Sequence, residues 1–288
     1  MTRLCVMGAG RIGGEVAFLA AATGLADELV LHDAIAPFLH AQVLDLMHTG
    51  LDITISTDLT DAADADIGVF AAGSPRNPNI KSRADLLAAN LPVADECIQA
   101  LKRFSGVLVA ITNPSDANAY YISRKSGFDR SRVIGFGGQL DSARFALALR
   151  ERGLGKTGTV LGEHGDHQVP IFSRAAPDVP DVLREEILAG LRTASMQVLQ
   201  GKGGTVFGPA VHIVSLLRSV VEDRRLLLPC AVALEGEYGI EGCSMAVPAE
   251  VGREGARRIE EWDLDPWETA RMQEAGDFLR GLCAGLPL

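Results

Sequence analysis

Leu4-Cys5-Val6-Met7-Gly8-Ala9-Gly10-Arg11-Ile12-Gly13 sets a short apolar run directly before a glycine-rich turn, and an amphipathic stretch, 14–23, follows it. Strand, tight turn and helix in that order make a phosphate cradle. The glycines let the backbone approach a pyrophosphate, and the helix N-terminus favours its charge. Alone the Gly-x-Gly-x-x-Gly spacing is a weak signal, since a chain with 31 glycines produces it by chance. The next β-like run, Leu29-Val30-Leu31-His32, ends in Asp33, where a dinucleotide fingerprint places the acid that holds the ribose hydroxyls and repels a 2′-phosphate. NAD is therefore favoured over NADP. The plainer reading of Asp33 is a strand-end or capping residue.

Working outward, short apolar or β-branched runs recur at 53–56, 67–71, 107–112 and 133–136, with helical stretches between them such as 38–47 and 83–104. Six strands alternating with helices predict a doubly wound parallel sheet. Pro92 lies inside the 83–104 stretch and is expected to kink or split that helix. Ala71-Ala72-Gly73 and Ile111-Thr112-Asn113-Pro114 close the fourth and fifth strands, at the sheet edge where such folds bind ligands. Beyond residue 137 the pattern changes to helices at 139–152, 182–199 and 210–222, then strand-like runs over 232–248 broken by Gly236, Gly239 and Gly242. A closing helix is expected at 269–284. The chain reads as α/β, with a parallel-sheet dinucleotide-binding domain over 1–136 and an α+β catalytic domain over 137–288. No long linker separates them, so a tight interface is expected.

The bulk numbers narrow the function. A net charge of −10, without a Lys/Arg cluster, argues against nucleic acid as a partner. No apolar run approaches the ~18 residues of a membrane span. Five cysteines without a C-x-x-C spacing read as free thiols in a reducing compartment, neither a disulfide framework nor a metal site. The N-terminus shows no signal-peptide pattern, and a cytoplasmic location is expected.

Two further stretches carry chemistry: Leu140-Asp141-Ser142-Ala143-Arg144 and Gly162-Glu163-His164-Gly165-Asp166. Three-residue spacing puts Asp141 and Arg144 on one face of a helix. A histidine to exchange a proton, a carboxylate to orient it and an arginine to hold an anion suit a carboxylic acid substrate. Of the six histidines, His32, His40 and His48 read as packing or surface and His212 as a core histidine in an apolar helix. His167, three residues beyond His164, is the rival base. His164 is preferred for its flanking glycines and the acid before it.

These stretches, together with Thr112-Asn113-Pro114-Ser115-Asp116, Lys202-Gly203-Gly204-Thr205 and Gly236-Glu237-Tyr238-Gly239-Ile240, resemble the lactate/malate dehydrogenase family, in its archaeal malate-type branch, almost end to end. The resemblance implies His164 as proton acceptor from the substrate hydroxyl, Asp141 as the group that fixes its tautomer, and Arg144 as a two-point clamp on the C1 carboxylate. It implies that Arg83 polarises the carbonyl oxygen, that Asn113 bridges cofactor and substrate, and that Asn90 lies near the nicotinamide end. The cofactor would rest on Gly8, Ala9, Gly10, Arg11, Ile12, Gly13, Asp33, Ile111 and Thr112. A homodimer or homotetramer is implied as well.

Malate against lactate turns on Arg76, in Gly73-Ser74-Pro75-Arg76-Asn77-Pro78, where lactate-type relatives carry a neutral glutamine. A dicarboxylic 2-oxo acid needs a second cation. With a monocarboxylate bound, a desolvated Arg76 would be unpaired, costing on the order of 3 kcal/mol, or ~100-fold in preference. Its plainer reading is a solvated side chain. The loop departs from the family pattern: Arg83 follows Arg76 by seven positions where six are usual, the glycine is missing, and Lys81 is a further cation. A lactate-type dehydrogenase is thus the alternative activity. A metal-dependent NAD glycosidase on the same fold lacks its ligand set here, and a non-catalytic NAD-binding protein would not be expected to keep His164, Asp141 and Arg144.

Overall fold

The computed structural model describes residues 1–74 and 80–288. Strand β1 (Arg3–Met7) turns at Gly8 (φ +96°), a conformation open to glycine, and runs into helix α1 (Arg11–Ala22). The alternation continues through β2 (Glu28–His32), α2 (Ala36–His48), β3 (Thr54–Ser56), β4 (Ile67–Phe70), α3 (Arg83–Ala100), β5 (Val107–Ala110), α4 (Ser115–Ser126) and β6 (Val133–Gly135). These strands pair in parallel in the order β3-β2-β1-β4-β5-β6, the doubly wound arrangement. β1, β4 and β5 are buried along nearly their whole length, as strands covered on both faces must be.

The second part opens with α5 (Gly138–Glu151), β7 (Val160–Gly162) and β8 (Gln168–Pro170), then α6 (Phe172–Ala175), α7 (Asp181–Lys202) and α8 (Phe207–Val221). The meander β9 (Leu226–Glu235), β10 (Glu241–Gly252) and β11 (Gly255–Ile259) follows, and α9 (Pro266–Cys283) closes the chain. The interface expected between the two parts is closer than packing. β9 pairs antiparallel with β6 at Gly135 and Ala231, so the described strands form one sheet across both parts. α1 and α8 share one apolar cluster, and α9 covers β10 from the other face.

Of the kink or split expected at Pro92, the split is not found: α3 runs continuously over Arg83–Ala100. Pro92 and Ala88, the residue whose carbonyl loses its partner, both sit on the exposed side, so that oxygen is not sealed in the core. The buried side carries Leu86, Leu87, Asn90, Ala94, Cys97 and Ile98. A capping box between Ser82 and Asp85 sets the start of the helix, and with it the position of Arg83.

A satellite core under α5 and α7 joins Phe145, Phe172 and Trp267. Phe172 is fully buried, with its ring edge-on to Phe145 at 4.9 Å and to Trp267 at 5.7 Å. Phe172→Ala is expected to lower unfolding stability by about 3–5 kcal/mol. Denaturant titration checks this through a lower midpoint at unchanged slope; a loss under ~1 kcal/mol would contradict the packing described.

Candidate active site

Asp141 sits in the first turn of α5 and is buried. One carboxylate oxygen lies 2.6 Å from His164 Nδ1 and the other accepts from Arg144 Nη1 at 3.0 Å. An ionised carboxylate can only accept, so the proton on this side of the ring belongs on Nδ1 and Nε2 is left without it. Gly137 makes room for the pair: a Cβ there would stand 2.4 Å from His164 Cγ and 2.7 Å from Nδ1. Burial pulls the His164 imidazolium down, but the charge and hydrogen bond of Asp141, joined by the charge of Asp116, outweigh it and leave the ring above its ordinary value; Arg144 opposes them.

A second layer of acids lies behind the histidine. The backbone N–H of His164 donates to Asp116 at 2.9 Å. Burial, reinforced by the charge of Glu163, pushes the Asp116 carboxyl up to about 7, against the pull of His164 and Arg83. Buried Glu163 faces Arg83 Nη1 at 3.0 Å and accepts from the His167 N–H at 2.9 Å.

His164, Arg144, Arg83, Asn113, Ile111 and Ile12 line one cavity of about 390 Å³ at the junction of the two parts. The glycine turn thus meets the proton-exchange pair, which the sequence holds more than 120 residues away. The residues present fit a dinucleotide. The N-terminus of α1 carries no side-chain cap at Gly10, and nothing stands within 4 Å of where a Gly10 Cβ would be, which leaves open space over uncapped amides. At Gly13 a Cβ would fall 1.9 Å from the Gly8 carbonyl oxygen, and at Gly8 2.4 Å from Ala72 N, so the turn cannot close around larger residues.

Several expected residues are placed differently. Asn90 is wholly buried; its amide accepts from Ser74 N and donates to the Asn113 carbonyl, so it braces two loops from behind instead of facing the cleft. Thr112 donates its hydroxyl to the Ala72 carbonyl at 2.7 Å and acts in the same brace. Arg11 reaches across to the Gly203 carbonyl at 2.6 Å, tying the glycine turn to the α7–α8 turn. Ala9 is buried, and its carbonyl accepts from Gln42. Asp33 stands at the end of β2 with one oxygen accepting from Ile35 N, so its local turn role is real and the other oxygen is left for a ribose. His212 is not a core histidine: it is half-buried, and burial with the nearby charge of Arg144 draws it below its ordinary value. His167 stacks on Phe278 of α9, ring centroids 4.3 Å apart, outside the residues that line the cavity. Arg76 lies outside the described residues.

Sequence reasoning gave no role to Asp116, Glu163, Arg192, Ser195 or Thr205. Arg192, Ser195 and Thr205 join the cavity wall from α7 and the turn after it. Thr205 ends the Lys202-Gly203-Gly204-Thr205 stretch, which was a signal for it. Arg192 sits mid-helix in no motif, and only the packing of α7 reveals it.

The chain is similar to known proteins over nearly its whole length. Residues 2–135 match the lactate/malate dehydrogenase NAD binding domain, and residues 138–282 match the lactate/malate dehydrogenase alpha/beta C-terminal domain. A malate dehydrogenase of Haloferax volcanii is 36% identical over 97% of this chain and 98% of its own, and one of Natronomonas pharaonis is 35% identical over 97% of each. An L-lactate dehydrogenase of Halalkalibacterium halodurans is 30% identical over 99% of this chain and 97% of its own. The crystal structure of Cryptosporidium parvum malate dehydrogenase superposes with a TM-score of 0.89 at 25% identity over 98% of each chain.

The glycine turn generates a direct test. Gly13→Ala forces its Cβ onto the Gly8 carbonyl and should weaken NADH binding by at least ~10-fold, read by quenching or enhancement of nicotinamide fluorescence. Affinity within 2-fold of the unaltered protein, on the order of 0.4 kcal/mol, would contradict the cradle.

Proposed function

The chain belongs to the lactate/malate dehydrogenase family, and from that premise we propose that it oxidises (S)-malate reversibly to oxaloacetate with NAD. The observation that carries the reading is the buried Asp141 carboxylate, joined to His164 on one oxygen and Arg144 on the other, at a cavity that the glycine turn also borders. NAD, when bound, supplies the hydride acceptor for the substrate carbon. His164 takes the hydroxyl proton at Nε2, and Asp141 steadies the imidazolium that results. In the reverse direction the same nitrogen returns the proton to the carbonyl oxygen.

Arg144 spends one N–H on Asp141 and keeps its other donors for the C1 carboxylate, which a planar guanidinium can hold at two points. Arg83 opens α3 at the cavity wall, where its charge polarises the carbonyl as negative charge gathers on oxygen. Asn113 contributes from the end of β5, its loop braced by Asn90. The division of labour follows the chain in part: 1–136 holds the cofactor and lends Arg83 and Asn113 to the substrate, and 137–288 supplies His164, Asp141 and Arg144. The choice of a dicarboxylic substrate is supported by the malate dehydrogenases among the relatives and by Arg76 in the sequence.

A homodimer or homotetramer fits the surface. Exposed Ile35, Phe38, Leu44 and Met47 on and beside α2, with Phe207 and Val211 on α8, form more apolar surface than a solitary chain needs. Five free, buried cysteines suit a cytoplasmic setting, and among the described residues no helix is long and apolar enough to cross a membrane.

NADH oxidation at about 340 nm with oxaloacetate and pyruvate in parallel tests the reading. Oxaloacetate is expected to be preferred by ~100-fold or more in kcat/KM, and Arg76→Gln to lose most of that preference. A preference for pyruvate would instead favour the lactate-type reading.

A further inference from the structure

Glu163 stands directly before His164 yet plays no part in the proton-exchange pair. We propose that it is a positioning residue for Arg83: its buried carboxylate seats the guanidinium at the cavity wall. The inference rests on the reading of Arg83 as the group that polarises the substrate carbonyl.

Four observations carry it. The Glu163 side chain is almost wholly buried while that of Arg83 is one-third exposed, so the carboxylate is the fixed partner and the arginine the one it restrains. Oε1 meets Arg83 Nη1 at 3.0 Å, and the same nitrogen lies 3.4 Å from the His164 carbonyl oxygen. Oε2 is held from the far side by the His167 N–H at 2.9 Å, with His167 Nδ1 at 3.4 Å. His167 is itself fixed by its stack on Phe278, so the carboxylate cannot turn away from Arg83. Finally, a Cβ on Gly165 would stand 2.0 Å from Arg83 Nη2 and 2.2 Å from Glu163 Oε1. The glycine after the histidine is where the ion pair lies.

A buried carboxylate without a cation is strongly disfavoured, so Glu163 holds on to Arg83 as its compensating charge. Arg83 begins α3 and has a long side chain with wide rotamer freedom. Held at Nη1, it gives up that freedom before substrate arrives and keeps Nη2 and Nε as donors. His167, the alternative base in the sequence, thereby anchors the seat instead of exchanging a proton.

The test is a double-mutant cycle of Glu163→Gln and Arg83→Gln, read by kcat for oxaloacetate and by NADH affinity. Glu163→Gln should lower kcat by at least ~10-fold, leave NADH affinity unchanged, and have no further effect once Arg83 is replaced. Multiplicative losses in the double variant would overturn the proposal, since they would mean that Glu163 acts through the fold or through His164. A second arm needs no turnover: phenylglyoxal labelling, mapped by mass spectrometry, should modify Arg83 several-fold faster in Glu163→Gln than in the unaltered protein. Equal labelling rates would overturn the seat. Glu163→Asp, which keeps the charge but shortens the reach, guards against a folding defect and should fall between the two. If the unaltered protein fails to reduce oxaloacetate, the malate reading falls, and the labelling arm still decides the role of Glu163.

Discussion

One buried negative charge organises this molecule. Asp141 is removed from water and must be compensated, and it is, on both oxygens: His164 on one and Arg144 on the other. That requirement fixes three things together. It sets the tautomer of the histidine, raises the imidazolium above the ordinary histidine range, and holds the arginine beside it. On the proposed reading, proton exchange and anion recognition share one anchor on the first turn of α5.

The fold brings that anchor to the cofactor turn. Because β9 pairs with β6, the parallel strands that carry the glycine turn and the meander behind His164 belong to one sheet. The cavity opens where the two parts meet, and residues from both line it. Small residues decide how closely the segments of the site approach one another. Gly137 admits the His164 ring, Gly165 admits the Arg83–Glu163 pair, and Gly13 admits the Gly8 carbonyl. Each is a place where a single methyl group would collide with the machinery.

Much of this was legible in the sequence. Alternation of short apolar runs with helical stretches pointed to the parallel sheet, and residue spacing to the Asp141 and Arg144 face of α5. Local patterns misled where long-range packing intervened. Pro92 read as a helix breaker, but its carbonyl partner faces water and the opposite face is gripped by the core. His212 read as core because its neighbours are apolar, although only one side of α8 is covered and the histidine stands near Arg144. Asn90 and Thr112, which the resemblance put at the cofactor site, also carry hydrogen bonds to distant backbone that brace its loops. Glu163 entered only as the acid before His164 and Asp116 only as the end of a family-like stretch, and neither was given a contact, since a buried acid is recognised by what buries it.

The most direct measurement is the pH dependence of kcat/KM in both directions, from about pH 5 to pH 9, for the unaltered protein and Asp141→Asn. Oxaloacetate reduction needs the His164 imidazolium, so it should fall as pH rises through a pKa above the ordinary ~6.5. Malate oxidation needs the neutral ring and should rise through the same value. Asp141→Asn should cost at least ~100-fold in both directions and draw that pKa down. Profiles that ignore pH across this range, or a pKa that Asp141→Asn leaves unmoved, would contradict a proton carried by the His164–Asp141 pair.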